Sequence, residues 1–492
     1  MKTTLAAGVA IGVTSIATIL LAATPGAPPV APRIPVTDDY YGTKVTDDYR
    51  WMEDRKAPKF VSWITAENAY ARAVLAQIPK RDELLKRISS HTGGGAVISS
   101  VTLAGGKIFY LKRMPAEDSF KLYKRASLSA PETVLVDPTR SDTSGKHFAI
   151  DYFRPSQDGT SLAYGISEGG SEDSVIHILD IASGKEAAET IDRCEGANPS
   201  WRADGKSFFY RRQAKLAAGA GELSKYLNSV AYLHIVGTDP DKDVPIIGNG
   251  IPGSLPLTPA SEPFVYIQPG SRYAFAAISP GAVPEAEFFI APADQVTSAH
   301  APWKRVATLD DKMTNVAQHG DRLFLATYKG APRFKVIELN AADPDMAKAK
   351  TVVPAGARVI EDIEASSDAL YIRDLDGGPG RLRRYDFASG ALADIALPAE
   401  GALSDPVTDP NSADVLFGLQ GWVLAQRWYA YTRSGVVATD LAPPWADDLS
   451  AYVADEVKAP APDGTLIPLS IVHKKGLKLD GRNPVWLGGY GA

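Results

Sequence analysis

Gly165, Ser167 and Gly169 spell G-x-S-x-G within the stretch AYGISEGGSED. This is the spacing of a nucleophile elbow, in which a serine on a sharp turn between a strand and a helix attacks an acyl group. The residues that follow, SVIHILDI, alternate like a strand and not like a helix. We therefore predict that Ser167 lies in a loop between two strands and is not a nucleophile.

Three aspartates, Asp239, Asp241 and Asp243, have the D-x-D-x-D spacing that opens a calcium-binding loop. Such a loop requires glycine at its sixth position and glutamate at its twelfth. This chain has Val244 and Gly250 at those positions. We predict a solvated turn between strands and no metal site.

The histidines and the single cysteine give no pattern of metal ligands or of a reactive thiol. Cys194 is expected to be a small core or loop residue, and one cysteine allows neither an intrachain disulfide nor a cysteine-based zinc site. No cofactor is expected. The histidines are scattered without metal-ligand spacing, and they are His91, His147, His177, His234, His300, His319 and His473.

Composition is that of a globular protein with several domains. The chain has 492 residues, 45% hydrophobic and 22% charged residues and a net charge of -6. Its length allows about three domains. The mild acidity gives none of the basic surface by which nucleic-acid-binding proteins are recognised.

Residues 1–26 have the features of a targeting segment. Lys2 precedes an uncharged apolar stretch from Leu5 to Ala23, and small residues follow. We expect a cleaved signal peptide and therefore a periplasmic or secreted protein without stable membrane association. An uncleaved membrane anchor is the alternative, because about 20 apolar residues can span a bilayer.

The predicted secondary structure, which must position any site, differs between two parts of the chain. Residues 27–95 are predicted to be extended and then helical, with apolar residues at helical spacing over 57–88 and an interruption at Pro79. Residues 96–447 show short alternating runs separated by glycine-containing turns. These runs recur with a period of roughly 45–50 residues, which predicts a seven-bladed β-propeller. The predicted blades begin near 98, 148, 198, 262, 315, 360 and 404.

Three stretches in this order resemble the prolyl oligopeptidase family of serine peptidases. The first is VTDDYYGTKVTDDYRWMED, similar to the N-terminal signature of the family. The second is the propeller, in which FRPSQDGTSLAYGISEGGSEDSVIHILDIASGK is similar to a blade of the family and contains Ser167. The third is DGTLIPLSIVHKKGLKLDGRNPVWLGGYGA, which resembles the start of the catalytic domain.

The resemblance implies a mainly β fold: an N-terminal helical segment, the seven-bladed propeller, and an incomplete α/β-hydrolase domain over 448–492. In such enzymes the catalytic serine, aspartate and histidine follow the last of these stretches. By resemblance the chain thus lacks the triad and is expected to be inactive alone. Tyr490 matches a tyrosine that helps to form the oxyanion hole of the family.

The implied activity is that of a serine endopeptidase that cleaves short peptides, after proline, by acyl transfer through a Ser-His-Asp triad. An oligopeptidase that cleaves after basic residues is the alternative within the family. A non-catalytic propeller that binds a partner, or a pseudoenzyme, is the alternative outside catalysis. A monomer is expected.

Overall fold

The computed structural model describes residues 26–92, 96–115, 117–141, 145–281, 283–441 and 448–489. The chain divides into two compact units, residues 1–92 and residues 93–492. Each unit is described by itself below. The targeting segment lies almost entirely outside the described residues, so its assignment stays a prediction.

The described residues of the first unit form a β-hairpin and two α-helices. The hairpin pairs Val36–Tyr40 with Thr43–Asp47, where the sequence had predicted only extended chain. Arg50 fixes it, since its guanidinium lies 2.5 Å from Asp38 and 3.1 Å from Asp47.

The predicted helical region forms as two helices. Helix α1 spans Pro58–Ala76 and helix α2 spans Arg81–Thr92. Pro58 starts α1, where the missing N–H of proline costs nothing. The break between the two helices includes Pro79, as the sequence predicts, because proline disfavours helical backbone in the residue before it.

Besides a two-stranded hairpin, the described residues of the second unit form seven antiparallel sheets of four or five strands, each built from consecutive strands. This confirms the seven-bladed β-propeller. The strands of blades one to three, from inner to outer edge, are Val97–Ala104, Lys107–Arg113, Lys121–Arg125 and Thr133–Val136; Phe148–Pro155, Ser161–Glu168, Val175–Asp180 and Lys185–Glu186; and Ser200–Trp201, Ser207–Arg212, Val230–Ile235 and Val244–Gly248.

The remaining blades repeat the same meander. In blade seven the inner edge is formed by two short strands that both pair with the third. The strands of blades four to seven are Glu262–Tyr266, Tyr273–Ser279, Glu287–Pro292 and Lys304–Ala307; Met313–His319, Arg322–Thr327, Lys335–Asn340 and Lys350–Val353; Val359–Ala365, Ala369–Leu375, Gly380–Asp386 and Leu392–Ile395; and Ala402–Leu403, Val407–Thr408, Val415–Gly421, Leu424–Thr432 and Gly435–Ala438.

The core of the propeller lies between blades and not within them. The described residues form seven apolar clusters, and each joins two neighbouring blades. Burial of apolar area is the main favourable contribution to folding. Each blade is therefore stabilised chiefly by its neighbours.

The ring closes without exchange of a strand between its first and last blades, because each blade is a continuous segment of chain. Blade seven packs on blade one through a cluster that includes Ile98, Tyr110 and Trp428. Arg125 and Asp440 form an ion pair of 2.9 Å across this junction. We call the junction of blades one and seven the seam.

After the propeller, a hairpin pairs Tyr452–Pro460 with Leu466–Lys474. The sequence also predicts a strand in PVWLGGYGA, but its described residues, 484–489, form no strand. No strand among the described residues pairs with this segment. The predicted α/β-hydrolase domain is thus represented here by one hairpin, and it stays a prediction. None of the described helices combines the length and the apolar character needed to cross a bilayer.

Candidate functional site

The inner strands of the blades surround the central channel of the propeller. In the inner strand of blade six, Ile360 and Ile363 are buried between blades, whereas Asp362 and Glu364 are only partly buried. A bulge between Ile360 and Asp362 displaces the alternation by one residue. Such a bulge redirects side chains, and here Glu364 lines the channel while Asp362 accepts a hydrogen bond from Asn315 of blade five.

A cavity of about 400 Å³ lies at the end of the channel where inner strands turn into second strands. This volume falls within the range of small-ligand pockets, about 300–1,000 Å³. Every blade contributes to its wall, and the residues with polar side chains among its lining are Thr102, Arg154, Gln157, Asn198, Ser200, Trp201, Tyr266, Gln268, Gln318, Glu364, Thr408, Asp409 and Asn411.

Arg154 is the cation of this cavity. It lies in the inner strand of blade two, and its guanidinium donates to the Phe153 carbonyl and to Oδ1 of Asn198, both at 2.9 Å. The second bond links blade two to blade three. Arg154 is accessible to solvent in the channel, and partial desolvation there lowers its pKa, since desolvation disfavours the charged form. Even so, an arginine stays protonated in proteins.

Glu364 is the acid on the other side of the ring, in blade six. Burial raises its pKa to about 8, and the nearby charges of Asp362 and Asp405 add to this shift. Burial and the charge of Asp405 also raise the pKa of Asp362 to about 6, although Asn315 donates to it at 2.8 Å. Perturbed acids in a cleft are candidates for a functional site.

Side chains at the channel bridge successive blades. Gln157 of blade two donates to the Trp201 carbonyl of blade three at 3.1 Å. Gln268, just after the inner strand of blade four, donates to the Val316 carbonyl of blade five at 3.1 Å. These bonds hold the inner strands in fixed register around the cavity.

Two glycines bring blades one and two into backbone contact at the cavity. Gly105 has φ +54°, and a Cβ there would lie 2.0 Å from the Asp158 carbonyl oxygen. Gly159 has φ +64°, and a Cβ there would lie 2.8 Å from the Ala104 carbonyl oxygen. Only glycine allows both the left-handed backbone and this approach.

The structure places Ser167 in a strand, which corrects the prediction of a loop. Ser167 is the penultimate residue of the second strand of blade two and pairs with Ala149. It is 2% exposed and donates to Oδ1 of Asp151 at 2.9 Å. The elbow geometry is absent, because the chain continues into another strand and not a helix. No described histidine hydrogen-bonds Ser167, so the prediction that it is no nucleophile agrees with its surroundings.

The three spaced aspartates are used structurally. Asp239 caps a short 3₁₀ turn at Pro240–Lys242, and Asp241 pairs with Arg212 at 3.0 Å. Asp243 accepts a hydrogen bond of 2.7 Å from the hydroxyl of Tyr210. Across the described ranges, no group of three or more acidic, histidine or cysteine side chains could hold a metal ion.

The two strand histidines and the cysteine have structural environments. His234 is fully buried, with Nδ1 3.0 Å from Asp243. His177 stacks on Tyr164. Cys194 is fully buried, and burial raises the pKa of its thiol far above the ordinary value. A thiol of this kind is inert.

Tyr490 lies outside the described residues, so its oxyanion role stays a prediction. Sequence reasoning did not single out Arg154 or Glu364. One signal was available: each stands four residues before the aspartate of the first turn of its blade, Asp158 and Asp368. A charged residue four positions before this turn aspartate therefore indicates a side chain on the channel wall in blades two and six.

The chain is similar to proteins of one peptidase family. Residues 28–434 match the family model described as "Prolyl oligopeptidase, N-terminal beta-propeller domain". A prolyl endopeptidase of Elizabethkingia meningoseptica is 28% identical over 470 residues, which cover 94% of this chain and 64% of that protein. Dipeptidyl aminopeptidase BI of Pseudoxanthomonas mexicana is 24% identical, over 96% of this chain and 66% of that protein.

Solved structures show the same fold. One, from an analysis of two prolyl endopeptidases, superposes with a TM-score of 0.81 at 23% identity, over 92% of this chain and 65% of that chain. Prolyl oligopeptidase B from Galerina marginata, solved with a 25-residue macrocyclization substrate, gives a TM-score of 0.81 at 18% identity. The 492 residues thus span about 64–66% of the length of these relatives.

Proposed function

Since the chain belongs to the prolyl oligopeptidase family, we propose that it forms the N-terminal and propeller portion of a serine endopeptidase that cleaves short peptides after proline. The observation that carries the proposal is the family match over residues 28–434, which includes nearly the whole propeller. The relatives named prolyl endopeptidase support the preference for proline.

The propeller would act in this enzyme as a size filter. A folded domain of 100 residues has a radius of gyration of about 13 Å. The cavity of about 400 Å³ is too small for such a domain but suits a few residues of extended peptide. This geometry supports short peptides as substrates.

The proposed chemistry is acyl transfer through a Ser-His-Asp triad. Within the 492 residues the only G-x-S-x-G is that of Ser167, which is buried in a strand. We therefore assign the nucleophile to the part of the family's length that these residues do not span. Without nucleophile and base, a serine peptidase loses about 10⁶ in kcat. The 492-residue chain alone is expected to be inactive.

The proposed role of Tyr490 is to donate a hydrogen bond to the oxyanion. Loss of one such donor costs about 3 kcal/mol in the transition state. The proposed location is periplasmic or secreted, and cell fractionation with N-terminal sequencing of the mature protein tests it. A start at or near Thr24 is the expected result.

A binding propeller is the second candidate, and the unpaired cation in the cavity favours it. Arg154 lines a formed pocket without a counterion among the described residues, and Glu364 lines the same pocket as a largely protonated acid. A platform that retains peptides without cleaving them would need such groups. This candidate and the peptidase share the cavity but differ in turnover.

Hydrolysis of chromogenic peptides tests the proposal. The product of the whole reading frame that contains these residues is assayed with a blocked Gly-Pro p-nitroanilide and with an arginine p-nitroanilide, beside the 492-residue chain. We expect turnover of the proline substrate by the whole product only. Preference for arginine would replace the proline assignment, and no turnover of either would favour the binding propeller.

A further inference from the structure

We propose that Arg154 and Asn198 form a carboxylate-binding site in the channel, which takes the free C-terminal carboxylate of a short peptide. The inference rests on the proposed function only for the choice of a peptide as ligand. The site itself follows from the geometry of the cavity.

The first argument is the unsatisfied charge of Arg154. Its guanidinium donates to two neutral acceptors, the Phe153 carbonyl and Asn198, and no described carboxylate lies within 4.0 Å of it. The arginines of blade six differ, because each has a carboxylate partner: Arg373, Arg381, Arg383 and Arg384. Blade two thus presents an unpaired cation to the cavity.

The second argument is the fixed orientation of that cation. The two 2.9 Å bonds hold the guanidinium from two sides, one within blade two and one from blade three. In addition, the indole Nε1 of Trp201 donates to the Arg154 carbonyl at 2.9 Å, which fixes the backbone beneath it. Arginine binds carboxylates through paired N–H donors, and a pre-oriented fork loses little entropy when it does so.

The other charges of the cavity narrow the ligand class. Glu364 and Asp409 line the same cavity from blades six and seven. The raised pKa of Glu364, about 8, leaves it largely protonated at neutral pH. Asp409 adds an acidic side chain to the cavity wall, which disfavours a polyanion and favours an ammonium group. The cavity therefore suits an unblocked peptide of a few residues, with its carboxylate at Arg154.

Calorimetric titration of the 492-residue chain tests this site without any need for turnover. The probes are the tripeptide Gly-Pro-Ala as the free acid, its C-terminal amide, and an amide that carries glutamate in the last position. We expect the free acid to bind at least about tenfold more tightly than the amide, as expected for a charge-assisted pair. In Arg154→Gln this ratio should fall to about one. The matched control is Arg305→Gln, since Arg305 is an exposed arginine that stacks on Phe289 outside the cavity. This variant should keep the ratio of acid to amide affinity.

A second variant covers the case in which Arg154→Gln does not fold. Asn198 has φ +49°, so Asn198→Gly removes the acceptor without backbone strain. Asn198→Gly should reduce the ratio of acid to amide affinity severalfold. Equal binding of acid and amide by the unmodified chain, a ratio that persists in Arg154→Gln, or no binding at millimolar peptide would overturn the site. Tight binding of the glutamate amide would instead show that the site binds the acidic side chain of a peptide, and it would overturn the assignment to the C-terminal carboxylate. None of these outcomes bears on hydrolysis by the whole product.

Discussion

Substitution of Gly105 by alanine tests how closely blades one and two approach at the cavity. Gly105 and Gly106 form the two-residue turn of the first hairpin of blade one, and both have positive φ, +54° and +70°. Alanine at either position would lower the free energy of unfolding by about 1–2 kcal/mol, because it must adopt left-handed backbone. Gly106 is thus a matched control, because its added Cβ meets no atom within 4 Å.

At Gly105 a second cost is added. The new Cβ would lie 2.0 Å from the carbonyl oxygen and 2.3 Å from the carbonyl carbon of Asp158. Backbone atoms cannot rotate away as a side chain can, so blades one and two must move apart, at about 1–3 kcal/mol. The 3.0 Å bond from the Gly105 N–H to the Gln157 carbonyl would weaken as well, at about 1 kcal/mol. We expect about 3–6 kcal/mol for Gly105→Ala and about 1–2 kcal/mol for Gly106→Ala.

Thermal unfolding of the 492-residue chain, followed by circular dichroism, measures the difference. We expect the Tm of Gly105→Ala to lie several degrees below that of Gly106→Ala. Equal Tm values for the two variants would refute the close contact between Gly105 and Asp158. Because Gly105 also lines the cavity, Gly105→Ala should weaken binding of Gly-Pro-Ala more than Gly106→Ala does.

Three further substitutions have defined outcomes. The carboxyl of Glu364 has a pKa of about 8 in the folded state against an ordinary 4.5, so the native state holds a proton that the unfolded state releases. The protein should lose stability as pH rises through this window, and Glu364→Gln should gain in Tm relative to the unmodified chain from pH 5 to pH 9; a constant difference would contradict the shift. Ser167→Ala removes the bond to Asp151 and should cost about 1 kcal/mol, with hydrolysis by the whole product unchanged; loss of turnover at an unchanged Tm would contradict its structural role. Asp440→Asn removes an exposed partner of Arg125 at the seam and should cost at most about 1 kcal/mol, an effect that 1 M salt should abolish; a larger loss that persists in salt would contradict this.

Much of the fold could be predicted from the sequence because blade structure is encoded locally. The predicted blade starts at 148 and 262 coincide with the first residues of inner strands, Phe148 and Glu262. Alternation and turn residues within one blade suffice to locate these strands. The hairpin at Val36–Asp47 was missed because its exposed, polar strands carry no apolar alternation.

The candidate site could not be predicted in the same way. Arg154 and Glu364 lie in blades two and six, with three whole blades between them along the chain, and only closure of the ring brings them to one cavity. A local pattern predicts on which face of a strand a side chain lies, but not which residues from distant parts of the chain lie beside it. Ser167 was placed in a loop because its flanking glycines suggested a turn, whereas pairing with Ala149 extends the strand to Glu168.

The seam has a mechanical consequence. The other blade junctions are spanned by continuous chain, so the two blades at each of them cannot move far apart while the backbone is intact. The seam is held by apolar packing and by side-chain pairs such as Arg125 with Asp440. Under a stretching force applied between residues 97 and 438, this junction bears the load directly and should part first. Unfolding would then start at blades one and seven and continue blade by blade toward the middle of the chain. An optical trap would record it as a series of separate increases in extension.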